Sequence, residues 1–512
     1  MSRDLRVVGN HAITEVWEDD LAFKLHALLD SNGVKWTSTD VVRIGYVGES
    51  SAPVILWIGV VPSTLSGVDG VDVASKCHNL LEEYNITDID VEIRESVVTR
   101  LVGPDPVYAH NSNVGTHQPN TTMPYPPKLL RPAYNTDPIA TIRDPLTTTL
   151  SLPICAESMR SNGGTGGFFM TDDWRPGKLF LVTARHVLFK DNNHFERKHD
   201  GQLPRNVILF DDEWFEGYRK SIKNAIVLKK DTIQGLMGSI RSGDIPATEK
   251  LAKLAQIGVE EAAKEQLENF CEYVSRWEQS NRILGHIILS PPITVGDYDY
   301  IEDWAVIEID PSQVDAHNFL GNAIDLGTGI SSERFLEIMR FYTNDPNSIK
   351  YPSDRLLRLN GTIPDEEMRN CFSVIKHGSS SGLSFGISNN ICSFTHEDFD
   401  VDMDVHRKEW CILPCNKFEG FPTFPLPTHK LTFFSEEGDS GSVIVDGYGR
   451  IGGLLTGGSI HKINESPVDI TYATPISFLL ERMRGWGLEP DLATSSFTGR
   501  PSLDLLPPLP LL

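Results

Sequence analysis

The segment Gly438-Asp439-Ser440-Gly441-Ser442 sets a serine among glycines, between Leu431-Thr432-Phe433-Phe434 and Val443-Ile444-Val445. A hydroxyl is a poor nucleophile until a base takes its proton and donors already face the oxyanion that forms. Glycine before the serine lets the backbone turn, so that the N–H groups of Gly438 and Ser440 can face one point. A base is available at the end of the apolar run Leu179 to Thr183, which leads into Ala184-Arg185-His186-Val187. Imidazole, with an ordinary pKa of about 6.5, can accept a serine proton and return it to a leaving amine. An acid opens a third apolar run, Glu302-Asp303-Trp304-Ala305-Val306-Ile307. Asp303 there could accept the second imidazole N–H and fix its tautomer. Asp297, Asp299 and Asp310 compete for that role, but none directly precedes the Trp-Ala-Val-Ile run. Each of the three segments alone also fits a structural role: a Gly/Ser turn, a histidine closing a strand, an acid at a strand end.

The elements that must position these residues follow from periodicity. From about Val41 to Val102 the pattern is strand (Val41 to Val47), strand (Val54 to Val61), helix (Val71 to Tyr84) and strand (Val91 to Val98). Val73, Cys77, Leu80 and Leu81 form the stripe that would lie on the sheet. This predicts a small α/β domain over residues 1–102, without catalytic features. Residues 103–145 read as a linker, because eight prolines fall between Gly103 and Pro138 with no apolar period. Short strand-like runs then continue to about Arg484, as in an all-β domain over 146–487. A helical insertion, about 220–283, interrupts them. Its apolar residues Leu251, Leu254, Val259, Ala262, Leu267, Phe270, Val274 and Trp277 recur at helical spacing, with a break expected at Gly258. Residues 488–512, rich in Pro and Ser, read as a flexible tail.

Together the Thr-Ala-x-His, Asp-x-Ala-Val-Ile and Gly-Asp-Ser-Gly-Ser segments resemble the trypsin/chymotrypsin-like serine peptidases, in the order His, Asp, Ser. The resemblance implies a mainly β fold of two six-stranded antiparallel barrels with helical insertions, preceded here by the α/β domain. It implies that His186 is general base and then acid, that Asp303 orients it, and that Ser440 attacks a peptide carbonyl to form an acyl-enzyme. It also implies an oxyanion hole built from the N–H groups of Gly438 and Ser440. The run from Val374 to Ile387, Lys376-His377-Gly378-Ser379-Ser380-Ser381-Gly382 included, looks like a hairpin of the second barrel. Ile451 to Gly458 resembles the strand that binds extended substrate, and Tyr472-Ala473-Thr474-Pro475-Ile476 the last strand before a C-terminal helix. By the same resemblance Phe434 and Ser435 lie toward the base of the primary pocket, Thr456-Gly457-Gly458 form a wall and Ile470-Thr471 close it. No acid sits at the base, so an uncharged or apolar side chain is expected before the scissile bond.

Departures from the pattern have consequences. His186 to Asp303 and Asp303 to Ser440 are longer intervals than compact relatives need, and the insertion and a helix-like segment from Ser331 to Phe341 absorb the excess at little cost in closure entropy. Val187 and Glu436 stand where secreted relatives carry cysteines. Asp439, which in zymogen-activated relatives pairs with a freshly cut N-terminus, has no evident partner of that kind and would leave the site preformed if it bonded locally. The alternative to a peptidase is a protease-like binding or scaffold protein.

Composition narrows the remaining classes. A chain of 512 residues, 40% apolar and 23% charged, has the material for about three globular domains of ~150 residues. With 46 Lys plus Arg against 70 Asp plus Glu, the net charge of −24 disfavours nucleic acid as a partner and favours peptides or proteins. A further protein partner could use the N-terminal domain or the insertion. The apolar run Val54 to Val61, between Pro53 and Pro62, is far below the ~18 residues that span a bilayer, and no secretory leader is seen, so no membrane association is expected. Seven scattered cysteines fit a reducing compartment, and a cytoplasmic location is expected. No phosphate loop or dinucleotide fingerprint appears, so no cofactor is expected. His406, Cys411, Cys415 and His429 lack paired ligand spacing and are not read as a metal site.

Overall fold

The computed structural model describes residues 3–46, 51–101, 127–133, 137–199, 201–242, 245–279, 282–343, 345, 347–396, 406–415, 433–463 and 466–494. Val102, residues 103–126 and 134–136 of the expected linker, His429 and residues 495–512 of the expected tail lie outside these.

The fold is mostly β. The strand segments rich in Val, Ile and Phe form two large sheets, beside two two-stranded ones among the described residues. In the first, antiparallel neighbours follow the order Pro490–Leu492, Phe168–Asp172, Phe180–Thr183, Ala305–Ile309, Ile283–Ser290, Asn206–Leu209, Pro153–Ala156 and Gly164–Thr165. This sheet is a half-barrel and not the closed six-stranded barrel expected. Its last strand is only two residues long, and the Thr165 N–H that could extend the ladder is given to the Ser440 carbonyl instead (2.8 Å).

The second sheet does close. Phe372–Gly378, Gly382–Ser388, Arg407–Pro414, Ser466–Pro475, Arg450–Ile463 and Val443–Asp446 pair antiparallel in that order, and the last returns to the first. Closure leaves these six strands without a free edge inside the ring. The C-terminal helix Ile476–Gly485 follows directly, and Glu302 anchors it by accepting from Arg482 (3.0 Å) and Trp486 (2.6 Å).

The N-terminal residues form strand, strand, helix and strand as their pattern predicts. Trp36–Tyr46 pairs antiparallel with Val54–Val60, which pairs parallel with Ile89–Glu95 across the helix Gly67–Glu83. Ser66 caps that helix by accepting from the Asp69 N–H, and Val73, Cys77, Leu80 and Leu81 are its buried stripe. A further helix, Ala22–Ser31, precedes these elements, outside the expected pattern. This unit is hydrogen-bonded into the closed barrel: Trp36–Tyr46 pairs with Ser393–Thr395, which pairs with Arg407–Pro414. A buried cluster reinforces the join. Asp40 accepts from Arg94 (3.0 Å) and from the Tyr472 hydroxyl (3.0 Å), while Arg94 also donates to Ser459 (3.2 Å). The chain that was expected to end the N-terminal sheet as one strand divides after Glu95. Val97–Thr99 leaves that sheet and pairs antiparallel with the barrel strand Arg450–Ile463.

The insertion is a pair of long helices, Asp212–Ser242 and Ala247–Gln279, beginning earlier than expected because Asp211 caps the first by accepting from the Trp214 N–H (2.7 Å). Phe215, Tyr218 and Ile222 of one and Leu267, Phe270, Val274 and Trp277 of the other are buried in the core of the half-barrel. Leu251, Leu254 and Val259, expected in the same buried stripe, are exposed. The second helix also runs unbroken through Gly258; a mid-helix glycine costs about 1 kcal/mol, which the packing of its C-terminal half outweighs. At the other end of the chain the expected tail is anchored at its start, where Leu488 and Ala493 are buried and Pro490–Leu492 is a sheet strand. Among the described residues no helix is long and apolar enough to cross a membrane.

Candidate active site

Strand register brings the first two site residues together. Ala305 is opposite Thr183 in an antiparallel pair, so the chain leaving Thr183 and the chain entering Ala305 meet at one end of the sheet. His186 lies in a short 3-10 turn, Arg185–Val187, just past that end, and Asp303 just before the facing strand. The Asp303 carboxylate accepts the His186 backbone N–H (3.1 Å) at one oxygen and faces the ring Nδ1 (2.5 Å) with the other. With Nδ1–H so engaged, Nε2 is the acceptor, and it has no hydrogen-bond partner although it is buried. Burial alone would push the Asp303 carboxyl up. The attraction and hydrogen bonds of His186, with the Arg100 guanidinium nearby, outweigh it and hold the group well below the usual carboxylate range. The competing Asp310 is at the far end of the strand, accepting from the Ser312 N–H.

Arg185 fixes this turn from behind, a role its sequence position did not announce. Fully buried, it donates to the Ser290 carbonyl and hydroxyl and to the carbonyls of Asp191 and Asn193, and it stacks over the Phe189 ring at 4.3 Å. Burial lowers its pKa to about 10, so it stays charged at neutral pH.

Ser440 sits on a turn clamped between the two sheets. Its carbonyl accepts from Thr165 N–H of the half-barrel, the Gly438 carbonyl accepts from the Thr165 hydroxyl (2.9 Å), and Gly441 N–H donates to Leu455 of the closed barrel (2.8 Å). Gly438 has φ +96°, a left-handed conformation that aims its N–H to the same side as that of Ser440. Both N–H groups donate to one atom, the carbonyl oxygen of Leu101, at 2.7 and 3.1 Å. The Ser440 hydroxyl donates to the Thr456 carbonyl (3.3 Å) and is not hydrogen-bonded to His186. The two donors expected to face one point therefore do so, while the hydroxyl is turned from the imidazole.

Asp439 finds the local partner that would leave the turn preformed. Lys376 Nζ lies 2.7 Å from its Oδ2, with both side chains fully buried, and the N–H groups of Ser380, Ser381 and Glu436 also donate to its carboxylate. Burial pushes this carboxyl up, but the Lys376 ammonium and the hydrogen bonds bring it below the ordinary range. An apolar strand carrying one lysine, Val374-Ile375-Lys376, was the available signal, since a buried cation requires an anion.

The residues expected to line the primary pocket lie on the approach to this turn and on the neighbouring strand. Phe434 and Ser435 are buried, the Ser435 hydroxyl shares a hydrogen bond with that of Thr471 (2.6 Å), and Thr456, Gly457 and Gly458 lie on the strand that pairs with Val97–Thr99. The sulfur and imidazole candidates are scattered. His406 packs against the rings of His26 and Trp36, whereas Cys411 and Cys415 lie in separate apolar clusters where burial pushes both thiols up to about 12. Among the described residues no three His, Cys, Asp or Glu side chains gather as metal ligands. Comparison of the chain with models of known protein families and with curated proteins finds no match.

Proposed function

We propose that this protein is a serine endopeptidase of the trypsin-like double-barrel type, working through His186, Asp303 and Ser440. The observation that carries the reading is the paired geometry at the seam of the two sheets. An Asp-oriented imidazole has an unengaged Nε2, and two backbone N–H groups flanking a serine already hold a carbonyl oxygen. In this mechanism Ser440 Oγ attacks a substrate carbonyl as His186 Nε2 takes its proton, and the developing oxyanion is held by Gly438 and Ser440 N–H. The imidazolium then protonates the leaving amine, and water resolves the acyl-enzyme. The step this requires is rotation of the serine hydroxyl away from Thr456; such contacts often tighten only in the reacting complex. Peptides or proteins are the proposed substrates, and free thiols at all seven cysteines support a reducing compartment such as the cytoplasm.

The hydroxyl's present orientation favours one rival, a protease-like scaffold. A fluorophosphonate probe separates the two. Because Leu101 fills the oxyanion hole, the probe is applied to the wild type and to Leu101→Asp, whose charge would be expelled from an apolar pocket. Labelling that is absent in Ser440→Ala and falls steeply in His186→Ala is expected. Folded protein that labels in neither form would leave the scaffold.

A second expectation concerns the turn. A Cβ at Gly438 would collide with the Ser380 hydroxyl, and an L-residue at φ +96° is itself strained by about 1–2 kcal/mol. Gly438→Ala is expected to lower kcat about 10²–10³-fold, the effect of losing one oxyanion donor, with KM little changed. Unchanged kcat for peptide hydrolysis would remove Gly438 from the site.

A further inference from the structure

The carbonyl held by the two oxyanion donors belongs to the chain itself. Val97–Thr99 lies antiparallel to the barrel strand Arg450–Ile463, with Thr99 opposite Gly458 and Val98 opposite Ser459. Continuing that register by two residues brings Leu101 to Thr456, beside the nucleophile. Its carbonyl oxygen accepts from both Gly438 N–H and Ser440 N–H. Its side chain is fully buried in an apolar cluster with Phe434, Trp410, Ile412, Leu455 and Ala473, and Phe434 is the residue expected toward the base of the primary pocket. Arg100 borders the cavity onto which Asp303 and Glu409 also open. An extended strand, an apolar side chain in a matching pocket and a carbonyl between two backbone donors are together the features that define a bound substrate, and a chance loop contact would not supply all three.

We infer that the chain is its own first substrate, Ser440 cleaving the peptide bond that joins Leu101 to Val102. The inference rests on the peptidase reading and gives it a substrate class: extended peptides with leucine before the scissile bond. Ser440 Oγ bonds to the Leu101 carbonyl carbon as its proton passes to His186 Nε2, and the oxyanion stays between the two N–H donors. The carbon–nitrogen bond then breaks, and the His186 proton goes to the Val102 nitrogen, leaving a free amine and a Leu101 acyl-enzyme. One water, deprotonated by His186, attacks the acyl carbon, restores Ser440 and leaves a Leu101 carboxylate. One peptide bond is broken and one water consumed. The N-terminal unit remains attached after the cut through the pairing of Trp36–Tyr46 with Ser393–Thr395 and the Asp40, Arg94 and Tyr472 cluster, so the break is silent under native conditions.

Denaturing mass spectrometry of the full-length protein tests this. Wild type is expected to convert to fragments of residues 1–101 and 102–512, at a rate unchanged over 100-fold dilution, while native gel filtration still gives one species. Ser440→Ala, Leu101→Asp and Val102→Pro are expected to stay intact at this bond, the last keeping Leu101 in its pocket in case the aspartate variant fails to fold. A fluorogenic peptide Val-Val-Thr-Arg-Leu is expected to be hydrolysed by Leu101→Asp at least 100-fold faster than its analogue ending in Asp. If probe labelling and peptide hydrolysis are present but wild type stays whole, or if Ser440→Ala is cut at the same bond, self-cleavage is overturned and the peptidase reading survives. If neither wild type nor Leu101→Asp labels or hydrolyses peptide, the peptidase reading itself has failed.

Discussion

Asp303→Asn is expected to keep the fold and to lose about 10⁴-fold in kcat/KM for peptide hydrolysis. Asparagine has the size of aspartate, and its amide oxygen can still accept the His186 backbone N–H that the carboxylate now holds at 3.1 Å. Its NH₂ must then face Nδ1, which becomes an acceptor. The ring proton is driven to Nε2, the atom that has no partner and is the proposed base. A proton there cannot be exchanged for that of Ser440, so under the proposed mechanism only the Gly438 and Ser440 N–H groups are left to act. Kinetics beside thermal unfolding decide the matter: a near-native melting temperature with a rate collapse is the expected pair of results. Near-native rates would move the orienting role to another acid.

Local sequence encodes part of this arrangement and leaves part of it unmarked. His186, Asp303, Gly438 and Ser440 were legible because each stands in a short segment whose chemistry is local: a strand end, a strand start, a glycine turn. The strands around them were legible for the same reason, as runs of Val, Ile and Phe with turn residues between. The partner of Asp439 was not. Lys376 is 63 residues away, and only the register of Phe372–Gly378 against Val443–Asp446 brings the two together. The destination of the Leu101 carbonyl was further out of reach, since a backbone acceptor has no side-chain signature. The insertion shows a third limit. Its second helix has 33 residues, about 50 Å at 1.5 Å per residue, and overhangs a sheet whose strands span at most eight residues. Periodicity marks Leu251 and Val274 as one stripe, but only Val274 has a sheet beneath it.

Lys376→Met is expected to destabilise the protein by about 3–5 kcal/mol at pH 7 and to abolish hydrolysis, because it leaves a buried carboxylate without its cation in a space that methionine fills but cannot neutralise. Asp439 would still accept from Ser380, Ser381 and Glu436 N–H, so the loss falls on charge compensation and not on every hydrogen bond. The neighbouring Gly438–Ser440 turn is then free to rearrange to bring another donor inward, and its two N–H groups lose their common focus. The pH dependence follows from the direction of the Asp439 shift. Its folded pKa lies below the ordinary 3.8, so the pair's contribution is complete above pH 3.8 and is lost as pH falls through the folded value. In the variant no cation offsets the burial that pushes the carboxyl up, so the gap in stability between wild type and Lys376→Met should narrow as pH falls, measured by urea unfolding at pH 7 and pH 3. Pairing the substitution with Asp439→Asn removes both charges and should recover most of the lost stability, because an amide can keep the backbone bonds without a charge to desolvate. If Lys376→Met instead matches wild type in both urea midpoint and hydrolysis, the buried pair does not hold the oxyanion turn, and the backbone donors to Asp439 alone suffice.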